Sequence, residues 1–158
     1  MYPLEECRKE IISELRKILT PLKYTDEIRL ETPPQGKGDF AFPCFSLAPL
    51  TKKPPVKIAQ EIALQIPHTK WILRTEADGP YVNIFIDSST MASDVLRTIV
   101  KKRETYGYLA AKNKKVIIEH TSANPNGPLH VGRARNPIIG DTLVRIFKAA
   151  GYKVDSQF

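Results

Sequence analysis

The sequence predicts two architectures in tandem. The first is an α+β amino-terminal domain, a small antiparallel sheet with helices on one face; the second is the first strand–helix unit of a parallel α/β fold. Three observations predict them. Over the first hundred residues, helix-period apolar stripes alternate with short period-two segments and tight turns, a pattern that suits helices laid on a small antiparallel sheet. From Val116, the apolar run Val116-Ile117-Ile118 reads as a buried parallel strand and gives way to a polar stretch punctuated by proline and glycine. That stretch ends in Pro128-Leu129-His130-Val131-Gly132-Arg133 and enters a helix-period segment with Ile138, Ile139, Leu143, Ile146, Phe147 and Ala150 on its apolar side.

Taken in order, residues 4–19 form an amphipathic helix, with Ile11, Leu15, Ile18 and Leu19 on one stripe and Pro21 closing it. Its basic residues Arg8, Lys9, Arg16 and Lys17 make either a solvated face or an RNA-facing one. Residues 27–31 alternate as a short strand with Ile28 and Leu30 on one side. Residues 32–38 form a positively charged loop; Gly36 and Gly38 do not make a P-loop, because the Gly-Lys-Ser/Thr ending is missing. Asp39 is expected to cap a helix over residues 40–48, with Phe40, Phe42 and Phe45 packing in the core or stacking on bases. A second amphipathic helix spans residues 56–66, led by Pro54 or Pro55. Residues 70–76 and 81–86 are strands joined by Ala77-Asp78-Gly79-Pro80. A third helix, residues 88–103, runs through Met91, Val95, Leu96, Ile99 and Val100, capped by Ser88 or Ser89.

A strand, a rigid turn, a glycine and a helix present a helix N-terminus to an anion. Free N–H groups and the helix dipole favour phosphate there, and a side chain at Gly132 would block its approach. The stretch therefore predicts a nucleotide site at the carboxyl end of the first parallel strand.

The segment Glu119-His120-Thr121-Ser122-Ala123-Asn124-Pro125-Asn126-Gly127-Pro128-Leu129-His130-Val131-Gly132-Arg133 closely resembles the ATP-site signature of arginyl-tRNA synthetases, the arginine-specific form of the class I HIGH motif. The continuation through Ala134-Arg135-Asn136-Pro137-Ile138-Ile139-Gly140-Asp141 is similar to the same family, with Arg133 where the general motif has its second histidine. Gly38-Asp39-Phe40-Ala41, the proline-led helix from Pro55, and Asp78-Gly79-Pro80-Tyr81-Val82-Asn83 resemble the family's amino-terminal additional domain, which contacts the tRNA elbow around the D-loop. The resemblance implies residues 1–109 as that domain, residues 110–115 as a linker, and residues 116–158 as the start of a Rossmann-type catalytic domain. It further implies that the chain stops inside that domain, without the Lys-Met-Ser-Lys loop or the anticodon-binding domain.

What the resemblance implies chemically is ATP-dependent ligation of L-arginine to tRNA(Arg) through arginyl-adenylate, with ATP and Mg2+ used by a monomeric parent enzyme. His130 and Arg133 are then catalytic, and Pro128, His130, Gly132 and Arg133 bind ATP. Glu119, Ser122 and Asn124 bind arginine. Three of these have a plainer alternative: His130 caps its own turn, Asn124 shapes the turn before Pro125, and Arg133 faces solvent or pairs with Asp141. Asp141 itself is expected to pair with Arg135 or Arg145. His120 is ambiguous between roles, and His68 is a loop residue. Lys37, Lys52 and Lys53 are the candidates for tRNA contact, and no metal-ligand set of the chain's own is expected. With half of the phosphate clamp missing, the 158 residues are expected not to charge tRNA.

The formal net charge of +7 and pI near 9.4 fit a polyanionic partner, or simply a basic surface. Cys7 and Cys44 lack metal-site spacing and read as small buried residues in a reducing, cytoplasmic setting. No apolar run is of membrane-spanning length and no signal peptide opens the chain. Two rival functions remain: a non-catalytic tRNA-binding module derived from a synthetase, and a small nucleotidyltransferase with a HIGH-like site.

Overall fold

The computed structural model describes residues 2–121 and 131–157, with Arg133 described by its backbone. The chain divides into two compact units, Met1–Lys101 and Lys102–Phe158.

In the first unit, helix α1 (Pro3–Leu19) starts with proline at its first position, where the missing N–H costs nothing. Glu5 and Glu6 lie in its first turn and Arg16 and Lys17 in its last, both favourable to the helix dipole. Cys7, Ile11, Leu15 and Leu19, four residues apart, are fully buried. Arg16 is not a free cation, since its guanidinium donates to Tyr24 O at 3.2 Å and Asp26 O at 3.0 Å and pins the following loop. Strand β1 (Phe40–Pro43) leads through a 3-10 turn (Phe45–Leu47) into the short helix α2 (Ala48–Thr51). Helix α3 (Pro55–Ala63) buries Ile58, Ala59 and Ile62. Strands β2 (Ile72–Asp78) and β3 (Tyr81–Ile86) form a hairpin, and helix α4 (Ser88–Lys102) closes the unit.

The sheet is antiparallel in the order β1-β3-β2, with Ile84 of β3 opposite Phe40 of β1 and Thr75 of β2. Phe42, Ile72, Val82 and Ile84 share one core with the stripes of α1 and α3 and with Met91 of α4. Helices packed against an antiparallel sheet are the predicted α+β arrangement.

Three local expectations are corrected. Residues 27–31 bury Ile28 as their alternation requires, yet join the sheet through a single bridge, Glu31 to Ala41. Pro33 and Pro34 follow at once and have no N–H to extend a ladder. Residues 40–43 are strand, not helix: Asp39, instead of capping, accepts the Ile86 N–H at 2.8 Å and donates its own N–H to Ile84 O. The cap of α4 is Asp87, whose carboxylate accepts the Thr90 N–H at 2.9 Å, in place of Ser88 or Ser89.

The second unit is strand β4 (Lys115–Glu119), helix α5 (Val131–Ala149) and strand β5 (Lys153–Gln157), the two strands parallel and in register from Lys115 opposite Lys153 to Glu119 opposite Gln157. This is the opening of a Rossmann-type fold. The expected apolar stripe of α5 is largely exposed: Ile138, Ile139, Leu143 and Ile146 face out, while Val144 and Gly140 are buried. The segment before β4 lies along the end of α5, with Leu109 N–H donating to Ala149 O and Lys112 N–H to Gly151 O. Among the described residues, no helix is long and apolar enough to cross a membrane.

Candidate functional site

Two parallel strands end side by side at Glu119 and Gln157. A cavity of about 280 Å³ opens there against α5, bordered by Glu119, His120, Thr121, Asn136 and Gly140. The carboxyl edge of a parallel sheet is where ligands bind in open α/β folds. The helix passes so close that a Cβ on Gly140 would sit 2.2 Å from the Cβ of His120, which explains glycine in mid-helix.

His120 is held on every side. Its backbone N–H donates to Gln157 O at 3.0 Å. Its ring nitrogens lie 2.6 Å from Thr121 Oγ1 and 2.8 Å from Ser156 Oγ. In the neutral ring one nitrogen donates and the other accepts a hydroxyl proton. Thr121 takes the left-handed conformation, φ 68°, an uncommon one for a β-branched residue.

Of the residues read from sequence, Glu119 is the last residue of β4 and borders this cavity. Gly132 and Arg133 are the second and third residues of α5, at the positive end of its dipole. Ser122, Asn124, Pro128 and His130 lie outside the described residues. Asp141 pairs with Arg145 at 2.8 Å, one of the two partners anticipated. Sequence reading passed over Asn136, Thr121 and Ser156. The pairing of Glu119 with Gln157 brings Ser156 beside His120, and strand register is a long-range property invisible in local pattern.

The first unit has its own recess of about 310 Å³, bordered by Pro33, Pro34, Lys37, Asp78, Tyr81 and Asn83. Asn83, 4% exposed, is the one buried polar side chain among the described residues and borders this recess. Lys37 pairs with Asp78 at 3.0 Å at the rim. Lys53 is tied to Glu61 at 2.7 Å, whereas Lys52, in the left-handed region at φ 53°, makes no ion pair among the described residues.

Titration sets the remaining groups apart from this chemistry. Burial pushes Cys7 up to about 11 and Cys44 to about 12, so both thiols stay protonated and inert. Asp94 accepts from Lys70 at 2.6 Å and from the Trp71 indole at 2.9 Å, and these hydrogen bonds hold its carboxyl below the ordinary value. Among the described residues no three His, Cys, Asp or Glu side chains gather to hold a metal ion.

Both units match models of one class of protein, the class I aminoacyl-tRNA synthetases. Residues 5–86 match the family model of the arginyl tRNA synthetase N terminal domain, and residues 94–156 that of the tRNA synthetases class I (R), catalytic domain. The chain belongs to the arginyl-tRNA synthetase family. It is 45% identical over 157 residues to the arginine–tRNA ligase of Methanosphaera stadtmanae, covering 98% of this chain and 27% of that protein. The arginine–tRNA ligase of Methanococcus aeolicus is 45% identical over 159 residues, with 98% and 28% covered. The arginyl-tRNA synthetase of Thermus thermophilus superposes with a TM-score of 0.55 at 28% identity, over 94% of this chain and 24% of that one. The chain thus spans about a quarter of the length of the curated relatives it matches.

Proposed function

We propose that this chain supplies the tRNA-contacting domain and the first active-site unit of an arginine–tRNA ligase, which joins L-arginine to tRNA(Arg) with ATP through arginyl-adenylate. One observation carries the reading: the arginine-specific signature begins at Glu119, on the rim of the cavity at the carboxyl end of β4. A carboxylate there matches the guanidinium fork of arginine, which donates two parallel N–H bonds to it. Asn124 contacts the arginine as well, and Ser122 helps to hold its amino or carboxyl end. Pro128, His130, Gly132 and Arg133 bind ATP, whose phosphates meet the α5 N-terminus, with His130 donating and Arg133 neutralising charge. Magnesium travels with the triphosphate as part of the substrate. Adenylate formation is then catalysed by positioning and charge neutralisation.

Residues 1–109 serve tRNA contact and residues 116–158 the ATP and arginine site, with 110–115 between them. The recess beside Tyr81 and Asn83 suits an unstacked nucleobase, because Tyr81 offers an aromatic face and the Asn83 amide offers a donor and an acceptor. Lys37, Lys52 and Lys53 contribute to phosphate attraction. The setting is cytoplasmic and the enzyme monomeric. The test is binding of labelled tRNA(Arg) and a second tRNA to this chain across a salt series. Preference for tRNA(Arg) that survives added salt supports the reading; equal binding to both, erased by salt, overturns it for the tRNA domain. Measurable charging of tRNA(Arg) by the 158-residue chain is not expected.

A second reading, a tRNA-binding module without catalysis, is favoured by the first unit having its own recess and core. It predicts that ATP leaves every amide of the second unit unshifted in an NMR titration.

A further inference from the structure

The ring of His120 is the one imidazole in the described structure fixed between two hydroxyls from different elements, Ser156 on β5 and Thr121 beyond β4. Its backbone N–H adds a third tie, to Gln157 O, and the Gly140 backbone fits against its Cβ. Glu119 precedes it and Thr121 follows it, and both border the cavity. Thr121 sits at φ 68°, and backbone strain of this kind persists where the surroundings over-determine it. Such a strut has more contacts than a two-stranded edge needs to end.

We propose that His120 is a positioning residue for L-arginine: by linking Ser156 to Thr121 across the strand ends, it fixes the Glu119 carboxylate where the guanidinium binds. This assignment rests on the arginine-site reading of Glu119. His120 does not touch the reacting atoms. Its contribution is to hold a carboxylate at the end of an otherwise open strand pair, so that the pairing geometry is set before the substrate arrives.

The experiment is an NMR titration of the 15N-labelled chain with L-arginine, using L-citrulline, a neutral analogue of the same shape, as control. In His120→Phe the ring volume stays and both polar links go; in His120→Gln the amide keeps reach to Ser156. Loss of the link to Ser156 predicts arginine binding about tenfold weaker in His120→Phe, with His120→Gln, which keeps that link, within about threefold of the unaltered chain. Ser156→Ala should weaken arginine binding as His120→Phe does, and the double variant should add nothing further, since both remove the link across the strand ends. Amide spectra with unshifted strand signals in Ser156→Ala separate positioning from unfolding, should His120→Phe not fold. Arginine binding equal to the unaltered chain in both His120→Phe and Ser156→Ala overturns the proposal. So does a loss in His120→Gln as large as in His120→Phe. If L-citrulline binds as L-arginine does, or Glu119→Gln leaves arginine binding unchanged, the Glu119 reading itself fails and takes this assignment with it.

Discussion

In the amino-terminal unit Ile11, Leu15, Phe42, Val82 and Ile84 are at most 1% exposed, whereas in the second unit Val144, at 6%, is the one hydrophobic side chain buried to this degree among the described residues. Both units have apolar helix-period segments, so periodicity does not separate them; the cover available to each helix does. In the first unit α1 and α3 share a core with all three strands of the sheet. In the second, α5 leaves Ile138 67% and Ile146 56% exposed, and Ile117 on β4 stands 58% exposed. Parallel sheets in α/β proteins are covered on both faces. Two strands and one helix satisfy the backbone of this motif but not its apolar surface. The first unit therefore has a core of its own, and the second carries its candidate site on a thinly covered strand pair.

The strongest test of that contrast is Phe42→Ala, expected to cost about 3–5 kcal/mol in the first unit. Cys7 and Cys44 both lie in this core with thiols pushed up to about 11 and 12, so pulsed thiol labelling reads its opening directly. Labelling should accelerate in Phe42→Ala while amide exchange across β4 stays as it was. Simultaneous loss of protection in both units would show one cooperative body in place of two.

Gly140→Ala addresses the other side. The added Cβ meets the His120 Cβ at 2.2 Å, and neither a helix backbone nor a Cβ can swing away as the end of a flexible side chain can. Overpacking of this kind costs about 1–3 kcal/mol or more. In a unit with one buried hydrophobic side chain among its described residues it should abolish exchange protection in β4 and β5 and leave the melting of the first unit unchanged. Retained protection in the strands would mean that α5 can shift away from His120 at little cost.

How much of this was legible in the sequence follows the same divide. α1, α3, the hairpin and α4 were all readable from period and turn residues, because local pattern and burial agree there. Residues 40–43 were misread because a proline-containing segment after Asp39 imitates a capped helix; Phe42 opposite Val82 is a long-range pairing that no local signal carries. Ile28 shows the converse, a correct inward side chain on a segment with no ladder. At the candidate site, Glu119 was legible by its place after an apolar strand. The grip of His120 on Ser156, 36 residues away, was not, since it depends on the register of two strands. The place of Asn83 at the recess of the first unit was equally hidden, because alternation places it on a face without saying what covers that face.

A smaller effect sharpens the picture of the first unit. Asp87→Ala removes the carboxylate that accepts the Thr90 N–H and should cost about 1 kcal/mol, the ordinary value of a helix cap. The loss should appear as faster amide exchange in the first turn of α4. If Ser88 or Ser89 took over the cap, exchange there would stay slow.

The smallest expected effect concerns pH. Asp94 joins α4 to the start of β2 by accepting from Lys70 and from Trp71, and those hydrogen bonds lower its carboxyl from the ordinary value of 3.8. A group whose folded pKa is depressed stabilises the fold above its unfolded pKa and loses that contribution as pH falls through the folded value. The stability difference between the unaltered chain and Asp94→Asn should therefore be constant near neutrality and shrink below pH 3.8. Trp71 is the single tryptophan and reports the same contact, so its fluorescence can follow both chains through the acid range. Because Asp94 is anchored wholly in the first unit, amide exchange in β4 should be the same in both chains across that range. A pH-dependent difference in β4 would mean that the two units share a titrating link, and the separation drawn from their cores would need to be redrawn.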